Sequence, residues 1–260
     1  MSEKIRVRRE NKICWLTINR PEVKNAVDAD TMVRLREEIE TSEKDGSRVI
    51  VISGSEGSFS SGADIKAAFA AKVSPQDAYQ IMMDTYSPTL LAIKKSPLPI
   101  LAAMDGIAAG IGLNLALACD LRLASERAQF SEIFIHVGLI PDGGGSYTLP
   151  RLVGLGRAME LAMLGETIDS HRALEIGLIN RVYPNADFQS SVEKFAGQLA
   201  QQAPLALTRI KKAFWAGLEG SFEEALTREA DLQKEIFLSE DGFEGFRAFL
   251  EKRAPKWKGR

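Results

Sequence analysis

Cysteine and histidine, the common ligands of structural metals and the common members of nucleophilic triads, are scarce in this chain: its 260 residues contain two of each. Cys14 and Cys119 lie far apart, each inside an apolar run, so two buried free thiols are expected rather than a disulfide or a metal site. That usage fits a reducing cytoplasm. An excess of positive charge is also missing. Lys and Arg total 33 against 35 Asp and Glu, a net charge of -2, and they are scattered, with no basic stripe to follow a phosphate backbone. Nucleic acid is therefore not an expected partner. Long apolar runs are lacking as well. The most apolar stretch, Leu98 to Ala118, is interrupted by Asp105, by glycines and by Asn114, and reads as strand, loop and helix rather than as a membrane span. Met1 to Arg9 is polar and basic without the apolar segment a secretory leader needs, so no targeting peptide and no membrane partner are expected.

What remains is an ordinary globular composition, 45% hydrophobic and 26% charged, enough for a substantial core in one large domain or one domain with an appendage. Ile13 to Ile18 is rich in β-formers and ends at Asn19-Arg20-Pro21, a strand followed by a turn. From Asp30 to Lys44, Met32, Val33, Leu35 and Ile39 recur at helical spacing, with Asp28 or Asp30 as N-cap and Gly46 as a stop. Val49 to Ser53 is a second strand. Strand, helix and strand in that order predict a βαβ crossover, hence an α/β fold with a mainly parallel sheet. The alternation continues to about residue 183, after which Phe188 to Gln202, Pro204 to Leu218 and Ser221 to Leu238 read as helices. The expected division is a core over residues 1–195 and an all-helical region over 196–260. The basic tail from Lys252 to Lys258, with Trp257, is either a solvated end or a contact to an anionic ligand.

Three glycine-containing loops carry the chemistry. Ser58-Phe59-Ser60-Ser61-Gly62-Ala63-Asp64-Ile65-Lys66 follows the second strand and enters a helix, an arrangement that can leave the Ala63 N–H aimed into a cleft. In the second loop, a buried strand ends at Asp105-Gly106, and Gly110-Ile111-Gly112 opens an Ala/Leu-rich helix whose first N–H groups lack intrahelical partners. Backbone donors gather there without the spacing of a dinucleotide or phosphate loop. The third, Gly138-Leu139-Ile140-Pro141-Asp142-Gly143-Gly144-Gly145, holds the carboxylate that stands out as placed for proton transfer; the alternative role for Asp142 is to order the Pro-Asp-Gly turn or cap a helix.

Taken in order, these loops resemble the crotonase, or enoyl-CoA hydratase/isomerase, superfamily. The resemblance rests on Leu16 to Pro21 with Lys24-Asn25-Ala26, on Phe59 to Lys66, on Gly106 to Asp120, and on Gly138 to Gly154 with Ala173 to Ile179 downstream. It covers nearly the whole chain. It implies a spiral of ββα turns with a helical C-terminal region for oligomerisation and pocket closure, assembly as a homotrimer or hexamer, and acyl-CoA thioesters as substrates, with no cofactor beyond the substrate's own coenzyme A. It also implies an oxyanion hole made by the N–H groups of Ala63 and Ile111. Ile111 replaces a glycine frequent at that position, which is harmless because only its N–H is required. Coenzyme A is expected against Lys24, Ala26 and the segment Ala63, Asp64, Ile65 and Lys66, although the two lysines also read as solvated surface charges.

The departures from the family pattern narrow the reaction. Hydratases of the superfamily carry two glutamates, at positions occupied here by Asn114 and Phe134. Adding water across a double bond requires one group to take a proton from water while another proton reaches the α-carbon, so losing both acids argues against hydration. Asp142 instead matches the acid/base position of certain isomerases, Δ3,Δ2-enoyl-CoA and epoxyphenylacetyl-CoA types among them. Moving a double bond needs one base. Phe134 is expected to desolvate Asp142 and raise its pKa, and Asn114 to touch water or substrate or to serve the helix start. The expected activity is an enoyl-CoA isomerase. Two alternatives stand: a hydratase or other crotonase-type reaction using Asp142 with Glu132 or with a water held by Asn114, and a non-catalytic acyl-CoA binding subunit. Of the lesser polar residues, His136 reads as structural in a packed segment, and Ser146 and Tyr147 as pocket or core.

Overall fold

The computed structural model describes residues 3–260. Among them run nine strands: β1 (Ile5–Glu10), β2 (Ile13–Ile18), β3 (Val49–Gly54), β4 (Ile100–Met104), β5 (Ile107–Ala109), β6 (Leu121–Ser125), β7 (Gln129–Ser131), β8 (Thr167–Asp169) and β9 (Arg181–Tyr183). Six form the main sheet in the order β1-β2-β3-β4-β6-β9, and β5-β7-β8 form a smaller one. Every pairing of the main sheet is parallel except β1 with β2. The runs of apolar residues in β2, β3 and β4 are explained by burial on both faces, as parallel sheets require. Cys14, Leu16, Ile18, Ile50, Ile52, Ile100 and Ala102 face the principal core. Ile13, Trp15, Val49, Val51, Leu101, Ala103 and Leu123 face the other way, into a second core.

Helix α1 (Ala29–Ser42) joins β2 to β3 as the βαβ pattern predicts, and its cap is Asp28, whose carboxylate accepts from Thr31 N at 2.8 Å. Between β3 and β4 come α2 (Ile65–Ala70), α3 (Pro75–Ile81), a π turn over Met82–Tyr86 and α4 (Ser87–Lys95). Helix α5 (Ile111–Ala118) follows β5, α6 (Gly145–Val153) and α7 (Leu155–Leu164) precede β8, and α8 (Ser170–Glu175) leads to β9. The last four helices are α9 (Phe188–Ala200), α10 (Pro204–Gly217), α11 (Phe222–Phe237) and α12 (Glu240–Leu250).

The boundary expected at residue 195 would cut α9. Phe188, Val192, Ala196 and Ala200 pack into the second core, so α9 is a structural layer of the sheet and the outlying helices begin at Pro204. Two elements escape the sequence reading. β1 is mostly exposed and carries Arg6, Arg8 and Arg9, so its residues look like a polar terminus although they extend the sheet. Helix α12 is masked by its glycines. The basic tail is mostly exposed, as a solvated end would be, but its main chain is tied to the fold: Arg48 Nη2 donates to Trp257 O at 2.8 Å, and the Asp241 carboxylate accepts from the N–H groups of Lys258 (2.6 Å) and Gly259 (2.8 Å). Among the described residues no helix is long and apolar enough to cross a membrane.

Candidate active site

The first two loops singled out in the sequence leave the C-terminal ends of the parallel strands β3 and β5, the usual place for a site in parallel α/β architecture, while the third follows a 3-10 turn over Ile133–Val137; hydrogen bonds stitch them together. The Asn25 amide bridges the first two segments, donating to Ser55 O at 2.8 Å and to Ser58 O at 2.6 Å, while its Oδ1 accepts from Arg20 N at 2.8 Å. Val27 N donates to Gly62 O (2.8 Å) and Asp64 N to Val27 O (3.0 Å), which fixes the backbone on both sides of Ala63. Ser60 N donates to Ile107 O and Ala109 N to Ser60 O, both at 3.0 Å, joining that loop to β5.

This stitching brings Ala63 and Ile111 together. A methyl built on Gly62 would stand 4.0 Å from Ile111 N. Neither Ala63 N nor Ile111 N donates to another main-chain group among the described residues. Ile111 is the first residue of α5, so its N–H has no intrahelical acceptor and sits at the positive end of the helix. Two glycines make the approach possible. Gly110 has φ 53°, and a side chain on Gly112 would lie 2.6 Å from Ser60 Cβ.

The Asp142 segment packs against the start of α5: a methyl built on Gly143 would stand 2.1 Å from Ile111 Cδ1. The Asp142 carboxylate caps nothing: α6 begins three residues later with Gly144 as N-cap and no side-chain cap bond. The main chain at Asp142 is instead held firmly, its carbonyl accepting from Gly145 N and from Asn114 Nδ2, each at 2.9 Å. Asp142 Oδ1 is buried without a partner. Burial raises the carboxyl to about 6, well above the ordinary aspartate. The Phe134 ring is buried against the start of α5, its edge 3.7 Å from where a Gly110 side chain would start.

The remaining residues fall into two groups. Asn114 is wholly buried and touches both Asp142 and Glu132, the latter at 3.4 Å. Glu132 is only 1% exposed; burial first, and the Asp142 charge second, push its carboxyl up to about 7. Lys24, Ile65 and Lys66 are exposed on the rim and Ala26 is buried behind it. Asp64 is engaged elsewhere: its carboxylate pairs with Arg20 Nη2 at 2.7 Å and caps α2 through Ala67 N at 3.0 Å, so it braces the loop. His136 is exposed rather than packed, its Nε2 3.2 Å from Leu164 O. Tyr147 leaves the pocket for the outside, where its OH reaches Glu219 and Lys94 and Arg151 stack on its ring.

One neighbour went unnoticed in the sequence. Tyr86, in the π turn, donates its OH to Val27 O at 3.0 Å, and burial together with the charges of Asp28, Asp142 and Asp64 pushes its phenol upward. No motif marks it, because only the turn's geometry aims it at the cleft.

A sequence profile described as enoyl-CoA hydratase/isomerase matches residues 8–260. The chain belongs to that family, within the crotonase superfamily. A protein of Rhodobacter capsulatus named "Probable enoyl-CoA hydratase" is 40% identical over 94% of each chain. The 1,2-epoxyphenylacetyl-CoA isomerase of Escherichia coli is 33% identical, covering 96% of this chain and 97% of its own. Among solved structures, an enoyl-CoA hydratase of Bacillus anthracis superposes with TM-score 0.95 at 29% identity, covering 99% of this chain and 100% of its own. The fold is thus the crotonase fold, and hydratase and isomerase relatives both lie close to it.

Proposed function

We propose that this enzyme is an enoyl-CoA isomerase that moves a double bond with Asp142 as its sole acid/base. The observation that carries the reading is the Asp142 carboxylate itself: spent on no cap or ion pair, with one oxygen lacking any partner, beside two uncommitted N–H donors. The thioester oxygen of a 3-enoyl-CoA accepts from Ala63 and Ile111 N–H. Asp142 removes a proton from C2, the electron pair passes to that oxygen as a dienolate, and the donors stabilise the charge by several kcal/mol. The pair then returns to form the C2–C3 double bond as C4 takes the same proton back from Asp142. No atom is gained or lost. Lys24, Ala26, Ile65 and Lys66 border the coenzyme A path in this reading. The exposed apolar residues of the last three helices, Phe214, Phe246 and Phe249 among them, are the faces a trimer or hexamer would cover.

Hydration is disfavoured because Asn114 and Phe134 occupy the positions where hydratases of the family carry glutamates, and because Glu132 is sealed behind Asn114. The deciding comparison is wild type against Asp142→Asn on a 3-enoyl-CoA and a 2-enoyl-CoA. Migration that survives the substitution sinks the mechanism. Fast hydration without migration establishes the hydratase alternative, and binding without turnover on either substrate a non-catalytic subunit.

A further inference from the structure

Glu132 immediately precedes a 3-10 turn (Ile133–Val137), and it is buried. Asn114 Nδ2 donates to Glu132 Oε2 at 3.4 Å and to Asp142 O at 2.9 Å, so one amide links the buried carboxyl to the main chain of the base. Two oxygens of this linkage are buried without a donor, Asn114 Oδ1 and Glu132 Oε1. An ionised carboxylate has no proton to offer either of them. A carboxylic acid does, and acid and primary amide are complementary: the acid O–H donates to the amide oxygen while the amide N–H donates to the acid carbonyl. A single proton on Oε1 would therefore satisfy both orphaned atoms.

The surroundings agree. Helix α5 contributes Asn114 as its one polar side chain, Ser131 of β7 is turned to Gly165 O, and His136 of the 3-10 turn reaches Leu164 O. The charged group acting on Glu132 is Asp142, which is negative and favours the neutral acid.

We propose that Glu132 is a positioning residue: held as a neutral carboxylic acid, it closes a reciprocal hydrogen-bonded pair with the Asn114 amide, and that pair fixes the Asp142 main chain and so aims the catalytic carboxylate. It rests on the reading of Asp142 as the acid/base and adds a requirement to it. Asp142 must be ionised while Glu132 stays protonated, which gives migration a bell-shaped pH profile with limbs near the two values of about 6 and about 7.

Glu132→Gln and Glu132→Leu separate the possibilities. Gln can donate to Asn114 Oδ1 and accept from Nδ2 in the same ring and cannot ionise. Glu132→Gln is expected to keep kcat within about threefold at neutral pH and to lose the alkaline limb, whereas Glu132→Leu loses about tenfold or more in kcat with KM little changed. In infrared difference spectra of wild type against Glu132→Gln, in which the Asp142 carboxyl is common to both, the C=O band of a buried protonated carboxyl is expected and fades as pH rises through about 7. A wild-type protein without that band overturns the proposal, as does a Leu variant with full activity. A Gln variant as inactive as Asp142→Asn also overturns it, because Glu132 would then be transferring protons itself. If wild type moves no double bond at all, the isomerase reading has failed, and the infrared band still decides the state of Glu132.

Discussion

The proposed migration turns on Asp142, and the burial of that carboxylate makes the pH dependence of catalysis a quantitative test of the proposal. Its carboxyl is raised from an ordinary 3.8 to about 6, and burial is the cause. Only the ionised form can accept the C2 proton, so activity must rise with pH through the raised value. At about pH 5 an aspartate titrating near 6 is about one-tenth ionised, whereas one titrating at its ordinary value is more than about nine-tenths ionised. The 3-enoyl-CoA migration rate at about pH 5 should therefore be about tenfold below its limiting value, a difference that an unshifted carboxylate would not produce. The assay follows the absorbance of the conjugated 2-enoyl thioester, with circular dichroism at each pH to show that the protein stays folded. Asp142→Asn keeps the size of the side chain but cannot take a proton, and should lose about 10²–10⁴-fold in kcat with KM little changed, because Ala63 and Ile111 still hold the thioester. A rate independent of pH between about 4.5 and 6.5, or an Asn variant within tenfold of wild type, would refute the assignment of Asp142 as base.

Three further outcomes follow from the packing. Because the Glu132 carboxyl is raised from 4.5 to about 7, the stability it gives is present at low pH and lost as pH climbs through the folded value; Glu132→Gln should thus melt like wild type near pH 4 and be more stable by on the order of 3 kcal/mol above pH 7. Gly112→Ala would place a methyl 2.7 Å from Ser60 O and push apart the two loops of the proposed oxyanion hole, lowering kcat by about tenfold or more and stability by about 1–3 kcal/mol, read by kinetics and thermal melting. Arg20→Ala would strip the partner from the Asp64 carboxylate, whose side chain is 7% exposed, and should cost about 3–5 kcal/mol in chemical denaturation and raise KM for the acyl-CoA by loosening the Ala63 loop.

The parts of the fold legible in the sequence are those in which local pattern and tertiary environment agree. β2, β3 and β4 are continuous apolar runs because both of their faces are covered, and α1 shows helical spacing with a true cap at Asp28. β1 was illegible for the opposite reason. An edge strand exposes most of its side chains, so Ile5–Glu10 keeps a polar composition while Ile5 alone goes fully into the core. The division at residue 195 falls inside α9, because α9 has the same amphipathic pattern as the helices after it. What separates them is the partner for the apolar stripe: Val192 and Ala196 find the back of the sheet, whereas α10 has no fully buried residue.

The site shows the same divide between what spacing reveals and what only packing decides. The unpaired N–H groups of Ala63 and Ile111 and the unpartnered Asp142 carboxylate lie on the glycine-containing loops the sequence singles out, and their roles belong to the proposal. Asn114 and Phe134 could be recognised only as departures, and their physical roles came from contacts. Asn114 does not replace a lost acid; its amide is consumed by Asp142 O and Glu132 Oε2, which turns a vacated catalytic position into a brace. Glu132 lies two residues from the position of the missing glutamate, a spacing that leaves open which side it faces. The 3-10 turn resolves this by placing Phe134 toward the hole and Glu132 beneath Asn114. The carboxyl linked through Asn114 to the proposed base is therefore buried away from solvent, and in the proposal the polar atoms it leaves unpaired become satisfied only if it keeps its proton. A one-base reaction tolerates such a neighbour, since a second ionised carboxylate in this buried space would raise Asp142 further and blunt the proton transfer on which migration depends.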